Sequence, residues 1–402
     1  MTNPLANKRI LLGVTGSIAA YKAADLASKL TQSGALVDVV LTESAAKFVS
    51  ALTFQSVTGR KAYTDADLWG GEGHVTHIGL GHAADLVLIA PVSANTLAKL
   101  AHGVGDNLLS VTVLASHCPL VLAPAMDVGM YSHPATQANV DLLRQRGAEF
   151  IGPEEGHLAS GLVGLGRFVE PARILGRVRH LLSQDGPLAG RKVVVTAGGT
   201  QEPIDPVRVI TNRSSGKQGY AVAQAALDAG AEVVLISAPT ALTPPMGATV
   251  VAVKTAAQMQ AAVLDETGDA HALIMAAAVA DFRPRPSAQK LKKEIGIPKI
   301  ELEATEDILA AVSARKGETG FPKFMVGFAA ESQDLLKNAQ SKLERKRLDM
   351  IVANDILAQD AGFEVDTNRV VLLFADGRSQ NLPVQEKAEI AEAILQQIIA
   401  WG

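Results

Sequence analysis

One structural theme, written twice along the chain, constrains the fold more than any other feature. Arg9 to Val14 reads as a buried strand, and Gly13, Thr15, Gly16 and Ser17 form a turn. A helical pattern runs from about Ile18 to Gln32, Gly34 ends it, and Val37 to Thr42 reads as the next strand. Strand, glycine turn, helix and strand in that order make a βαβ unit, so the sheet is expected to be mostly parallel. Leu86 to Ala90 and Leu120 to Ala123 continue it. The theme restarts with a strand over Lys192 to Thr196 and a turn at Ala197-Gly198-Gly199-Thr200. A helix over about Gly219 to Ala229 and a strand over Glu232 to Ser237 follow. Leu273 to Ala278, Phe324 to Phe328 and Met350 to Ala353 read as further buried strands. Val370 to Phe374 before Asp376-Gly377 reads as a hairpin, and a helix over about Gln385 to Trp401 closes the chain. Ser183 to Gly190 is polar, contains Gly and Pro, and reads as a linker. The expected fold class is α/β, with two doubly wound, mostly parallel Rossmann-like domains in tandem over 1–185 and 186–402.

Composition supports this architecture. Of 402 residues, 48% are hydrophobic and only 4% aromatic, so small aliphatic side chains must fill tight helix–sheet layers. A formal charge of -4 argues against a general nucleic-acid binder, which needs a basic excess. The single cysteine, Cys118, excludes an internal disulfide and any multi-cysteine metal site. No apolar run approaches the ~18 residues of a membrane span. With a polar start at Met1 to Arg9, a cytoplasmic protein without a membrane partner is expected.

Polar residues gather at predicted strand ends. Gly16 and Ser17 sit where a helix N-terminus could take phosphate, or where Ser17 merely caps the helix. Thr42 and Ser44 follow the second strand, and Ser93, Asn95 and Thr96 follow the strand ending at Ala90. Such ends converge on one crevice in an open α/β sheet. His74, His77 and His82 lack zinc-protease spacing and a carboxylate partner, which favours a solvated histidine or a lone acid/base over a metal site. In the second half, the segment Gln201 to Lys217 lies between glycine turn and helix, where α/β sheets build ligand sites. Neither half contains G-x-G-x-x-G, which weakens a nicotinamide-dependent oxidoreductase reading. Ser214-Ser215-Gly216-Lys217 is at most a partial echo of a P-loop. Lys290 to Lys293 and Lys342 to Arg347 read by themselves as solvated charge runs.

Longer motifs carry a resemblance. Gly16-Ser-Ile-Ala-Ala-Tyr-Lys22, His77-Ile-Gly-Leu80, Ala90-Pro-Val-Ser-Ala-Asn-Thr96, Gly105-Asp-Asn-Leu-Leu-Ser110 and Pro124-Ala-Met126 resemble the flavin-containing cysteine decarboxylases. Asp205-Pro-Val-Arg208, Thr211 to Lys217, Ala276 to Asp281 and Gly327-Phe-Ala-Ala-Glu331 resemble phosphopantothenate–cysteine ligase. Their order is similar to that of the bacterial bifunctional enzymes of coenzyme A biosynthesis, across about residues 8 to 400.

The resemblance implies ligation of cysteine to 4′-phosphopantothenate with CTP through an acyl-cytidylate. An FMN-dependent decarboxylation to 4′-phosphopantetheine follows, in which thiol oxidation creates the electron sink that loss of CO₂ requires. It implies FMN contacts from Gly16, Ser17, Thr42, Ser44, Ser93, Asn95, Thr96, Ser110 and Met126, with His77 as acid/base. It implies CTP contacts from Ala276, Ala277, Asp281, Lys290, Asp307, Ile308, Phe328, Lys342 and Lys346. Arg208, Asn212, Ser214, Ser215 and Gly216 hold substrate, Asn212 and Lys290 being catalytic, and Mg²⁺ accompanies CTP with unknown protein ligands. Lys342 and Lys346, four apart, can share a helical face. Flavin-domain trimers joined by ligase-domain dimers imply a homo-oligomer as large as a dodecamer.

Three positions depart from the family pattern. Asp127 replaces an Asn that contacts the substrate carboxylate, and an ionised Asp there repels that group unless it is turned away. The flap reads Leu158-Ala159-Ser160-Gly161, with Ser160 replacing the late proton donor Cys, and a hydroxyl is a far weaker acid. Gln218 stands where Met is common. Asp127 and Ser160 motivate an alternative, an active ligase joined to a silent or enethiol-stopping flavin domain that serves as scaffold or regulator.

Overall fold

A computed structural model describes residues 3–69, 75–292, 299–331, 335–355 and 365–401. Within those ranges the chain forms two compact units, Asn3–Leu182 and Ser183–Gly402.

The first unit opens with strand β1 (Arg9–Val14), helix Ala20–Gln32 and strand β2 (Leu36–Leu41). The expected helix therefore starts two residues later, because Gly16 and Ser17 hold an open turn and Ala20 N–H bonds back to Ser17 O. Strands β3 (Ala62–Tyr63), β4 (Leu86–Val92), β5 (Leu120–Pro124) and β6 (Glu149–Phe150) complete a six-stranded sheet. Its order is β3-β2-β1-β4-β5-β6, and every pairing is parallel. Alternation along β1 sends Ile10, Leu12 and Val14 into one core and Leu11 into the other, so helices cover both faces. An antiparallel flap, β7 (Glu154–His157) and β8 (Val163–Arg167), stands apart from that sheet.

In the second unit, Ser183–Gly190 contains turns, as a linker would, but Leu188 is buried there. Its N–H donates to Ala229 O at 2.7 Å, so one apolar side chain fixes a segment that composition alone makes flexible. Strand β9 (Lys192–Ala197) is followed by the short pair β10 (Gln201–Pro203) and β11 (Val209–Thr211). Helix Lys217–Asp228, β12 (Glu232–Ser237), β13 (Thr249–Ala252) and β14 (Ala272–Met275) follow. A second short pair, β15 (Phe282–Pro284) and β16 (Leu302–Ala304), precedes β17 (Phe324–Glu331) and β18 (Met350–Asp355). Strands β19 (Thr367–Phe374) and β20 (Ser379–Glu386) form the expected hairpin, with Gly377 at positive φ in its turn. The sheet order is β13-β12-β9-β14-β17-β18-β19-β20, parallel as far as β18 and antiparallel beyond it. Val193, Val195 and Ala197 face one core and Val194 the other.

Both sheets reverse direction of winding beside their first strand, between β1 and β4 and between β9 and β14. Helices diverge at such a switch point and leave a crevice at the carboxyl ends of the strands.

Candidate active sites

In the first unit, three strand ends are knitted together around the β1/β4 switch point. Thr15 Oγ1 donates to Pro91 O at 2.8 Å and accepts from Ser93 N–H at 2.9 Å, joining the ends of β1 and β4. Ser17 Oγ donates to Ala125 O at 3.3 Å, which adds the end of β5. Gly16 is required by close approach: a Cβ there would lie 2.5 Å from the Cβ of Ser44. Thr42 and Ser93 cap the helices Glu43–Ala46 and Ala94–His102, accepting from Ala45 and Thr96 N–H. Thr96 is buried beneath Ser93, whereas Asn95 and Ser44 are exposed. Ser110 is 2% exposed, and its hydroxyl donates to Asn107 O while its N–H bonds the Asn107 side chain. It thus supports the loop before its helix.

His77 lies in the first turn of helix Thr76–Ala83, and its Nδ1 is buried without a hydrogen-bond partner. Gly81 lets this helix sit directly on Leu108–Ala115, since a Cβ would come within 2.8 Å of Thr112 O. His74 lies outside the described residues. His82 stacks loosely on His117 at 5.8 Å, and among the described residues no three His, Cys, Asp or Glu side chains form a metal cluster.

The two departures of the first half meet in space. Ser160 Oγ donates to Asp127 Oδ2 at 2.6 Å, and Gly129 N–H donates to Oδ1 at 2.9 Å. The Ser160 hydroxyl, then the Gly129 N–H, hold the Asp127 carboxyl below its ordinary range, so it is ionised. It is also turned toward the flap. The flap is fastened further where Met126 N–H donates to Gly166 O at 3.1 Å and Gly164 leaves no room for a Cβ beside Val128. Cys118 is half-buried, and burial pushes its thiol up, away from proton-donor chemistry at neutral pH.

In the second unit, a cleft of about 860 Å³ opens at the β9/β14 switch point. Helix Lys217–Asp228 points its N-terminus there, because Gly219 packs on β9 where a Cβ would meet Ala197 Cβ at 2.6 Å. Gly216 supplies the positive φ that this helix start needs. Asn212 Nδ2 donates to Ala278 O and Val279 O, both at 3.3 Å, strapping the loop after β9 to the loop after β14. Lys342 Nζ donates to Phe328 O at 2.9 Å. Lys346 Nζ pairs with Asp307 at 3.0 Å, and Asp307 caps helix Ile308–Thr319. Burial raises the Asp307 carboxyl, but Lys346 and the Ala310 N–H outweigh it and hold it below its ordinary range. Helix Leu335–Arg345 ends one residue short of Lys346, yet Lys346 N–H bonds Lys342 O and both side chains line the cleft.

Asn212, Ser214, Ser215, Gly216, Ala276, Ala277, Asp281, Asp307, Ile308, Phe328, Lys342 and Lys346 all line this cleft. Arg208 and Lys290 do not line it; both side chains are exposed. They belong to one arm, organised by the buried carboxylate of Asp205. Its burial opposes ionisation, but N–H donors from Val207, Leu291 and Arg208 outweigh that. Arg208 Nη2 also donates to Leu291 O at 3.2 Å, so Arg208 is tied to the segment that bears Lys290. Lys293 lies outside the described residues. Asn354, Asn368 and Lys387 line the cleft and were missed in the sequence, because none belongs to a recognisable motif; Arg345, read there as part of a solvated charge run, lines it too.

Two doubly wound units, each with polar groups gathered at its switch point, define a tandem α/β protein with a candidate ligand site in each. Residues 1–183 match the family model described as Flavoprotein. Residues 188–401 match the model for the DNA/pantothenate metabolism flavoprotein C-terminal domain. The Bacillus subtilis protein named Coenzyme A biosynthesis bifunctional protein CoaBC is 46% identical over 400 residues, covering 98% of each chain. The Vibrio vulnificus protein of that name is 43% identical over 397 residues, again 98% of each. A solved C-terminal domain of a protein so named is 40% identical, covers 54% of this chain and 98% of its own, and has a TM-score of 0.46. The chain belongs to the family of bifunctional coenzyme A biosynthesis proteins.

The first unit fits a flavin nucleotide: a buried histidine nitrogen lacks a partner, and a Gly16 cradle that a Cβ would fill leads into a helix start.

Proposed function

We propose that the second unit joins cysteine to 4′-phosphopantothenate with CTP and that the first decarboxylates the product to 4′-phosphopantetheine with FMN, the roles dividing near residue 185. The observation that supports the ligase half best is the cleft at the β9/β14 switch point, with a helix N-terminus at one wall and Lys342, Arg345 and Lys346 at another. Such a cleft suits a triphosphate and the negative charge that moves during nucleotidyl transfer.

The substrate carboxylate attacks the α-phosphorus of CTP and pyrophosphate leaves. Asn212 donates to the acyl-cytidylate, Ser214, Ser215 and Gly216 hold substrate phosphate, and Lys342 and Lys346 hold nucleotide phosphates. Ala276, Ala277, Asp281, Asp307, Ile308 and Phe328 frame the cytidine. Arg208 and Lys290 act from their arm when it lies over the cleft. Mg²⁺ enters with CTP.

In the first unit, FMN when bound supplies the two-electron oxidation of the substrate thiol and its reversal. Gly16, Ser17, Thr42, Ser44, Ser93, Asn95, Thr96, Ser110 and Met126 form or support its cradle, and His77 moves a proton at the reacting thiol or carbon. The Asp127–Ser160 pair closes the flap over the substrate, with the charge of Asp127 directed at Ser160. Two working halves are favoured over a silent flavin domain, because relatives matched over 98% of their length bear a bifunctional name.

A cytoplasmic homo-oligomer suits this reading, and Val209, Phe282 and Leu302 expose apolar surface on the short strand pairs that a second copy could cover. Among the described residues no helix is long and apolar enough to cross a membrane.

Purified protein should show a flavin spectrum. Given 4′-phosphopantothenate, cysteine, CTP and Mg²⁺, it should release pyrophosphate, CO₂ and 4′-phosphopantetheine, read by mass spectrometry. Accumulation of phosphopantothenoylcysteine or of its enethiol would contradict the decarboxylase half, and absence of pyrophosphate would contradict the ligase half.

A further inference from the structure

We infer that the end of the second unit's cleft formed by Asn354, Gln218 and Lys387 is the docking subsite for the amine substrate, recognised as an α-amino acid zwitterion. This rests on the ligase reading above.

Asn354 lies near the end of β18 and is only 7% exposed, yet its Oδ1 has no hydrogen-bond partner. Met350 and Val352, two and four residues before it, face the core shared with helices Lys217–Asp228 and Lys387–Trp401. Strand alternation puts Asn354 on that same side. Gln218, in the first turn of Lys217–Asp228, donates through Nε2 to Lys387 O at 3.1 Å, which leaves its Oε1 buried and without a partner. Two carbonyl acceptors on residues that line this cleft therefore lack donors. Such groups cost free energy until a donor arrives.

Beside them lies cationic charge. Lys387 is 7% exposed and donates from Nζ to Val365 O. Lys217 pairs with Asp366 at 2.7 Å and lines the same cleft. Burial, reinforced by Lys217 and opposed by Asp366, pushes the Lys387 ammonium below its ordinary range. A carboxylate arriving there would offset that repulsion.

Neutral acceptors next to ammonium groups complement an amino acid at both of its charges: N–H groups to the carbonyls, carboxylate to the lysines. The other reactants fit less well. A triphosphate and an acyl phosphate present acceptors and need donors, which the helix N-terminus, Asn212, Lys342 and Lys346 provide. Asn354, 7% exposed, carries the recognition, and Gln218, already bonded through its Nε2 to Lys387 O, adds to it. Held there, the amine loses one proton to solvent and its nitrogen forms a bond to the acyl carbon. The bond from that carbon to the cytidylate oxygen breaks, CMP leaves with the electron pair, and the nitrogen releases a second proton to give the amide.

The test separates the two half-reactions. Pyrophosphate release from CTP and 4′-phosphopantothenate is followed without cysteine, and amide formation is then followed against cysteine concentration. Asn354→Leu is expected to raise the KM for cysteine about tenfold, from loss of a hydrogen bond to a charged group. The KM for CTP and the pyrophosphate step should stay at wild-type values, which also reports that the variant is folded. Asn354→Ser, which keeps a shorter acceptor, should fall between. An unchanged KM for cysteine in both variants, or a rise confined to 4′-phosphopantothenate, would overturn the assignment. Loss of the pyrophosphate step in both variants would overturn it too, since Asn354 would then serve nucleotide transfer or the fold. If the wild-type protein itself releases no pyrophosphate, it is the ligase reading that fails.

Discussion

The two sites occupy the same place in the same kind of sheet, yet they use their polar side chains in opposite ways. Around β1 and β4 several polar groups are spent on the protein's own backbone. Thr15 joins two strand ends, Thr42 and Ser93 cap helices, and Ser110 braces Asn107. Around β9 and β14 a wide cleft is lined by lysines and two arginines, and some buried acceptors lack partners. The first pattern suits a resident cofactor held by a rigid cradle. The second suits charged reactants that enter and leave, since groups whose pairing is completed by substrate contribute to binding it. The difference teaches that a shared topology locates a site, while the accounting of donors and acceptors tells what sort of ligand it keeps.

The largest expected effect breaks the second site and spares the first. Asn212→Asp replaces a donor to Ala278 O and Val279 O with an anion facing two carbonyls. Amide formation should fall about a hundredfold to a thousandfold, as for loss of a transition-state donor. The flavin spectrum should be unchanged, and normal ligation would remove Asn212 from the site. Gly16→Val is the converse. Its branched side chain meets Ser44 Cβ, so the flavin-to-protein ratio by absorbance should drop to near zero while pyrophosphate release persists. Retained flavin would mean that the cradle lies elsewhere.

Lys290→Gln tests whether an exposed arm residue serves the cleft. A loss of about thirtyfold in kcat/KM for CTP is expected from one missing charge at a transferring phosphoryl group. An unchanged value would leave Lys290 as surface charge. Ser160→Ala sharpens the comparison further, because it removes the flap's bond to Asp127 and should slow decarboxylation about tenfold without touching ligation.

The smallest effect is one of pH. Asp127 is held below its ordinary range, so the charge-assisted bond is present above that range and is lost as pH falls through the lowered value. The ratio of wild-type to Ser160→Ala decarboxylation should therefore stay flat from pH 8 down to about 4, the ordinary carboxylate range. A ratio that changes between pH 6 and 7 would assign the titration to another group.

Most of the fold was legible because its signals are local. Alternation within β1 and β9, the glycine turns after them and the Asp376-Gly377 hairpin lie within a few residues of what they specify. Motif residues of the second site also emerged in one cleft, from Asn212 to Lys346. Two readings did not survive folding in simple form. Asp127 and Ser160, each a liability when considered singly, bond to each other across 33 positions of sequence. The linker reading of Ser183–Gly190 omitted Leu188, whose burial depends on helix Lys217–Asp228 and its following turn.

The sequence by itself determined two doubly wound α/β units, their strand-end polar clusters and the family to which those motifs point. These depend on period, turn chemistry and ordered motifs, which adjacent residues carry. Only the tertiary structure decided that Ser160 turns the charge of Asp127 toward the flap. It alone tied Arg208 to the Lys290 arm and left Asn354 and Gln218 as acceptors without donors in one cleft. A hydrophobic pattern states which face of an element is buried, but the partner of a polar atom is fixed by where distant strands and helices place it.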